Sequence, residues 1–307
     1  MLDDHQEFND LEGRLKTILP ETYQDSCDDV LPLLMGSAGL KYGTDGKVAW
    51  NEIWGSFCHL AMAGGPPHKG KLLAPARIEE INAETERYSE VLKEICRGIG
   101  MVTGLRAEPS PIAGWVRVYC ISAVMAGWLA RAIVMENVSA RFDGLWLDLP
   151  AGPYYRVEKE IKNVITVIAK TCHYWLDHTT PEQHQAIASL FSTMESESQL
   201  VQTVLFDHDF QPDRQRMLSN KMAVSILEKT GLCSSDDSYE EWLGLSFGDV
   251  RTAILMMRVL VVCNTFARRE GTAVFVPVNP NSDPNGETVV QTVIQAQAFA
   301  VSRQISA

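Results

Sequence analysis

The chain has 307 residues and a formal net charge of −12, with 46% hydrophobic and 21% charged residues. These proportions are typical of a globular protein, and the length suffices for one large or two ordinary domains. The acidic balance argues against a dedicated nucleic-acid binder and against adhesion to anionic membranes, but it is compatible with a local basic cleft for an anionic metabolite.

Targeting signals and cysteine usage indicate a cytoplasmic protein. The first residues, from Met1 to Glu7, are polar and acidic, so we expect no signal peptide. The longest apolar stretch, around Ile254 to Phe266, is interrupted by Arg258, which argues against a membrane span. The seven cysteines show no Cys-x-x-Cys spacing, and this pattern is typical of free thiols in a reducing compartment.

The strongest signal in the sequence is internal similarity. Gly104 and Trp115 recur as Gly231 and Trp242, both displaced by 127 positions (231 − 104 and 242 − 115). The similarity extends without a gap to about Trp175 and Ser302. Matched pairs in this register include Ala126/Ala253, Arg131/Arg258, Asn137/Asn264, Arg141/Arg268, Gly144/Gly271, Pro150/Pro277 and Glu160/Glu287. A looser third copy contains Gly39, Leu40 and Trp50. The sequence therefore predicts a duplicated unit with a third, divergent copy.

In chain order, the predicted organisation has five parts. They are an N-terminal helix and connector (1–30), a divergent first repeat (31–102), a second repeat (103–178), a helical insertion (179–229) and a third repeat (230–307). Each repeat is predicted to contain a strand, a helix, a β-hairpin and a second helix. We therefore predict an α+β fold (α/β in the broad sense), with grooves where the repeats meet.

In the second repeat, residues 115–120 alternate like a half-buried strand, and Ser122 is the expected N-cap of a helix that extends to about Asn137. Residues 138–150 are typical of a hairpin that turns at Asp143-Gly144, and a helix over about 155–177 follows.

The third repeat and the insertion before it carry similar signals. Glu270-Gly271 is the expected hairpin turn of the third repeat, and its last helix begins at about Glu287. In the insertion, Thr180 and Gln183 form the pattern of a capping box, which predicts a helix that extends to about Leu205.

Polar side chains follow one another at steps of four and three residues along the helix predicted over 155–177, so they share one helical face. They are Lys159, Asn163, Thr166, Lys170, His173 and Asp177, with Lys162 beside them. The third repeat has Gly286, Val290, Val293, Gln297, Ala300 and Gln304 at these positions, and Val289 in place of Lys162. The stripe is either a solvated surface or the wall of a polar cleft, in which Lys162, Asn163 and Lys170 bind a carboxylate or phosphate.

Two further candidates belong to the second repeat. Arg131 can bind an anion, although its recurrence as Arg258 favours a structural role in both copies. Glu136 is a candidate base or orienting group near the same helix end, and His173 is a candidate proton shuttle.

The first repeat contributes the segment Gly64–Gly70, which holds His68 and Lys69 between glycines and prolines. Such a preorganised loop suits substrate binding and acid–base chemistry, with His68 as a catalytic candidate and Lys69 as a binding candidate. A rigid surface turn is the alternative. We predict no metal site, because no His-x-x-x-His or Cys-x-x-Cys spacing is present; His59 and His68 are weak candidates.

These features predict a cytoplasmic enzyme of small-molecule metabolism that acts on an anionic substrate by acid–base chemistry between repeats 1 and 2. A lyase, isomerase or group-displacement reaction is expected. No cofactor is expected, because the sequence contains no nucleotide-binding motif. The alternatives are a non-catalytic binding or assembly protein, which could be a homo-oligomer, and a metalloenzyme that uses His59, His68 and His173.

Overall fold

The computed structural model describes residues 2–21, 24, 39–53, 71–205, 207–237 and 239–305. The chain divides into two compact units, which we call the middle unit (Leu31–His178) and the terminal unit (Met1–Val30 with Thr179–Ala307). Both units combine helices with one small antiparallel sheet, which confirms the predicted α+β class.

Within the described residues, the helices are α1 (Leu2–Ile18), α2 (Ile78–Ala83), α3 (Thr85–Thr103), α4 (Ala123–Met135), α5 (Lys162–Asp177), α6 (Pro181–Glu197), α7 (Pro212–Thr230), α8 (Val250–Val262) and α9 (Glu287–Ile305). The strands are β1 (Ala107–Pro109), β2 (Trp115–Tyr119), β3 (Arg141–Asp143), β4 (Trp146–Pro150), β5 (Trp242–Ser246), β6 (Arg268–Glu270) and β7 (Ala273–Pro277). Across the described part of the chain, none of these helices has the length and apolar character needed to cross a membrane.

The middle unit packs three helices around a four-stranded sheet of order β1-β2-β4-β3. Helix α3 buries Tyr88, Val91, Leu92, Ile95 and Ile99, whose spacing gives one apolar face. This face lies against α5, and α5 in turn packs on α4. Helix α4 is buried along almost its whole length, so it forms the centre of the core.

The terminal unit has a three-stranded sheet of order β5-β7-β6. Helix α9 packs on α7 and α8, while α1 packs on α6 and α8. Helix α6 begins as predicted, because the Thr180 side chain accepts a hydrogen bond from the Gln183 N–H and Pro181 occupies the first helical position. It ends at Glu197 rather than near Leu205, since Val201 leaves the helix to bridge Thr265.

The elements of the two units correspond at the predicted offset. Helices α3 and α7, strands β2 and β5, and helices α4 and α8 all differ by 127 residues at both ends (for example 212 − 85 and 230 − 103). Backbone conformation follows the same register: φ is 70° at Gly104 and 76° at Gly231, and 58° at Asn137 and 59° at Asn264. The correspondence includes α3, most of which precedes the predicted start of the second repeat at residue 103, and the duplication itself stays a prediction.

The predicted third copy, residues 31–102, lies partly outside the described residues. Its described part holds an antiparallel bridge between Tyr42 and Val48, a short 3₁₀ turn (Trp50–Glu52), α2 and α3. The assignment of these residues to a repeat therefore stays a prediction.

Close packing of α3 on α5 gives the first testable prediction. An alanine Cβ at Gly98 would lie 2.9 Å from Ile165 Cγ1 and 3.1 Å from Trp50 Cδ1, so the core must shift to accept it. Overpacking of this kind costs about 1–3 kcal/mol, and the better helix propensity of alanine returns up to about 1 kcal/mol. We expect Gly98→Ala to lower the melting temperature.

Gly100→Ala is the matched control on the same helix. Gly100 is exposed, and its added Cβ would have only Leu105 O nearby, at 3.8 Å. This variant should keep or raise the melting temperature in the same calorimetric experiment. If Gly98→Ala lowers the melting temperature no more than Gly100→Ala does, the packing at Gly98 leaves room for a side chain and the prediction is wrong.

Candidate functional site

The polar stripe of α5 does not have the uniform exposure of a solvated helix face. Lys159, in the turn before α5, is exposed, while Lys162, Asn163 and Thr166 are half-buried. Farther along α5, Lys170 is only 2% exposed. The stripe is therefore exposed at Lys159, buried at Lys170 and exposed again at Asp177.

Lys170 and Glu136 form a buried ion pair. The Lys170 ammonium donates a hydrogen bond to the Glu136 carboxylate, and the two side chains are 2% and 0% exposed. Glu136 is the residue at which α4 ends. Burying two charges costs desolvation free energy that their attraction offsets only in good geometry, so such a pair is weak evidence for a purely stabilising role.

The terminal unit has neutral residues at the corresponding positions. Glu136 corresponds to Cys263 (136 + 127), and Lys170 corresponds to Gln297 (170 + 127). Gln297 instead donates a side-chain hydrogen bond to the Thr230 carbonyl at 3.0 Å. The same arrangement of helices and strands therefore forms without this ion pair.

His173 lies three residues after Lys170, and residues at this spacing are neighbours on a helix. Its Nδ1 lies 2.7 Å from Asp177 Oδ2, and its Nε2 lies 3.0 Å from His178 Nε2. The side chain of His173 is 27% exposed and that of Asp177 is 64% exposed. The helical periodicity predicts a shared face for His173 and Asp177 but not the contact with His178, whose only sequence signal is its spacing of five residues from His173.

The other predicted binding residues lie apart from this group. Arg131 is buried, donates to the Gly127 carbonyl at 3.0 Å and stacks near the Phe142 ring, and Arg258 is buried at the corresponding position. This supports its structural interpretation. Lys162 and Asn163 lie in the first turn of α5, and the 11 residues from Lys162 to His173 span about 16 Å of helix.

His59, His68 and Lys69 lie outside the described residues, so their predicted roles stay predictions. Among the residues that are described, no group of three or more His, Cys, Asp or Glu side chains is arranged to hold a metal ion. Cys172 is next to His173 in sequence, but burial raises the pKa of its thiol well above its usual value. We therefore assign Cys172 to the core and not to nucleophilic catalysis.

A second charged cluster lies on the sheet of the middle unit. Arg117 donates two hydrogen bonds of 2.9 Å to the Asp148 carboxylate, across the β2–β4 pair, and its guanidinium lies over the Trp146 ring. Arg141 from β3 stacks on Trp115. These contacts hold the hairpin to β2, and because both charges of the Arg117–Asp148 pair serve each other, we give the cluster a structural role.

The terminal unit contains a cleft that the sequence analysis did not predict. Its volume is about 1280 Å³, and its walls come from α1, α6, α8 and α9. Arg14 crosses it with two hydrogen bonds to the Glu197 carboxylate, at 2.7 and 2.5 Å, and Gln295 donates to Glu7. Cys263, the counterpart of Glu136, lines the same cleft, and burial raises the pKa of its thiol to about 12.

Comparison with known proteins identifies no relative: no protein-family model, no curated protein and no solved structure matches the chain.

The contribution of the buried ion pair to stability can be tested by replacing its residues with those of the terminal unit. Glu136→Cys leaves the Lys170 ammonium buried without this carboxylate, which typically costs about 3–5 kcal/mol. The double variant Glu136→Cys, Lys170→Gln takes both residues from the terminal unit and removes both charges. We expect the single variant to be strongly destabilised in thermal and urea unfolding and the double variant to recover at least half of the loss.

If the double variant is no more stable than the single one, the neutral pair of the terminal unit does not suit the middle unit. The ion pair would then be a requirement of this core.

Proposed function

We propose that this protein is a cytoplasmic enzyme of small-molecule metabolism that acts on an anionic substrate by acid–base chemistry at the end of α5. The observation that carries the proposal is the buried Lys170–Glu136 pair beside His173, at positions where the terminal unit has uncharged residues. Buried ionisable groups that the scaffold does not need are typical of functional sites.

In this proposal His173 exchanges a proton with the substrate. Asp177 accepts a hydrogen bond from Nδ1–H, so proton exchange takes place at Nε2 once the substrate replaces the contact of this nitrogen with His178. The 3.0 Å contact between His178 Nε2 and His173 Nε2 holds the His173 ring from its other side. The partial exposure of His173 gives a substrate access to this end of the stripe.

Lys170 supplies the positive charge. An ammonium has three N–H donors, and Glu136 accepts from one of them, so a substrate oxygen that reaches in from the His173 side can accept from another. Glu136 then acts as an orienting group for Lys170 rather than as the base. The expected reaction is a lyase, isomerase or group-displacement reaction, in which proton transfer at His173 assists the making and breaking of substrate bonds.

A second candidate function is ligand binding without catalysis, and the cleft of the terminal unit favours it. A concave site of this size, lined by both polar and apolar residues, is a common form of small-molecule site. This function needs neither His173 nor Lys170, so variants of these residues separate the two candidates.

A binding screen tests the enzyme proposal. Carboxylate-, phosphate- and sulfate-bearing metabolites are screened by thermal shift in the presence of EDTA, and each hit is titrated by calorimetry. We expect a hit to bind the Glu136→Cys, Lys170→Gln variant at least ~10-fold more weakly than the unchanged protein, since a charge-assisted hydrogen bond contributes about 1.5–3 kcal/mol.

Two further variants complete the test. Lys229→Ala removes an exposed lysine of α7 and should leave the affinity unchanged. His173→Gln should bind the hit but abolish its conversion, followed by NMR of substrate and product. Unchanged affinity in the double variant, together with unchanged turnover in His173→Gln, would exclude this site.

A further inference from the structure

Two histidines at the end of α5 hold their Nε2 atoms 3.0 Å apart. Their rings are nearly perpendicular, with centroids 4.7 Å apart and an interplanar angle of 79°. His173 lies in the last helical turn, and His178 is the residue that ends the helix. The pair therefore lies on an ordered element of the middle unit, where His178 is exposed and His173 partly so.

Asp177 fixes the protonation pattern of His173. A carboxylate only accepts hydrogen bonds, so the 2.7 Å contact with Nδ1 places the ring proton on Nδ1 and leaves a lone pair on Nε2. In a metal-binding histidine, one ring nitrogen binds the metal and the N–H of the other usually donates a hydrogen bond to a carboxylate or carbonyl. The carboxylate orients the ring and makes it a stronger ligand.

The spacing of the two nitrogens matches two neighbouring ligands of one metal ion. With metal–nitrogen bonds of about 2.05 Å, two nitrogens 3.0 Å apart subtend about 94° at the metal. This angle is close to the right angle of square-planar and octahedral complexes, which are typical of Cu²⁺ and Ni²⁺. A tetrahedral angle corresponds to a separation of about 3.3 Å, which a small shift of either ring would reach.

We propose that His173 and His178 bind a divalent transition-metal ion, for which Cu²⁺ is the probe, through their Nε2 atoms. Asp177 supports His173, and water completes the coordination. If the neutral His173 ring carries its proton on Nδ1, the same 3.0 Å contact in the metal-free protein is a hydrogen bond from His178 Nε2–H to His173 Nε2. Metal binding replaces this hydrogen bond and shifts the His178 proton to Nδ1.

The catalytic consequence rests on the proposed function. A metal ion lowers the pKa of its bound water, so the ion at His173 would supply the acid–base group through that water and would attract an anionic substrate. Metal binding itself requires no substrate, so it can be measured independently.

Copper titration tests the site. The purified, metal-free chain is titrated with CuSO₄ by calorimetry, and the Cu²⁺ EPR spectrum is recorded at one equivalent. We expect one tight equivalent whose spectrum shows two coupled nitrogens. His173→Gln and His178→Ala should each weaken binding at least ~10-fold and leave one nitrogen, and Asp177→Asn should weaken it ~10-fold or more through loss of the supporting carboxylate.

His208→Ala is the matched control, because His208 is an exposed histidine of the terminal unit beside Asp209. It should leave both the affinity and the spectrum unchanged. Unaltered copper affinity and spectra in His173→Gln and His178→Ala would overturn the proposal, as would the absence of any tight equivalent. Should His173→Gln fail to fold, the exposed His178→Ala decides alone.

The two proposals can fail separately. Copper binding that is lost in the histidine variants, without any anion hit in EDTA, would support the metal site and count against the metal-free enzyme. Anion binding and turnover in EDTA, without copper binding, would support the metal-free enzyme and overturn the metal site.

Discussion

The ion pair between Glu136 and Lys170 fixes how α5 is rotated against α4. Successive residues of a helix differ in direction by about 100°, so a small rotation of α5 would carry the Lys170 ammonium away from its carboxylate within the core. Losing a buried partner costs several kcal/mol, about a third or more of the stability of a typical domain. The position of His173, one turn later on the same helix, follows from this constraint.

The two units have different side chains at the positions of this ion pair: Glu136 and Lys170 in the middle unit, Cys263 and Gln297 in the terminal unit. Most of their helices and strands correspond at an offset of 127 residues, and both units place an asparagine with positive φ after the central helix. The middle unit fills the position with charges that pair in the core, whereas Cys263 of the terminal unit borders an open cleft. A shared fold with different chemistry at equivalent positions is what separates the requirements of folding from those of function.

Local rules predicted the local structure well. The Ser122 and Thr180 caps, the Gly144 and Gly271 turns and the strand that begins at Trp115 depend on neighbouring residues, and the structure confirms them. The predicted end of α6 near Leu205 was wrong, because Val201 lies outside the helix and pairs with Thr265, 64 residues later (265 − 201). Helical periodicity also identified one stripe on α5, but it could not show that the stripe passes from the surface into the core.

Helical periodicity could not predict that Glu136 and Lys170 pair, because it relates only residues of the same helix. Glu136 and Lys170 are 34 residues apart, and the sequence favoured each for a separate reason. The cleft requires α1 to pack beside α6 and α8, which begin 179 and 248 residues later (181 − 2 and 250 − 2), and no local pattern indicates this.

Electrostatics connects the ion pair to the histidines beside it. A lone buried ammonium one helical turn from His173 would repel any positive charge that forms on that ring or on an ion bound to it, and the repulsion would be strong in a medium of low polarity. The paired Glu136 carboxylate opposes this field, so in the proposed site Lys170 would bind an anion with less repulsion of a proton or a metal ion at His173. The neutral pair of the terminal unit produces no such balance, since Ala300 stands where the middle unit has His173. On the two proposals, the carboxylate at the end of α4 would allow a cation-binding pair of histidines and an anion-binding lysine to occupy adjacent turns of one helix.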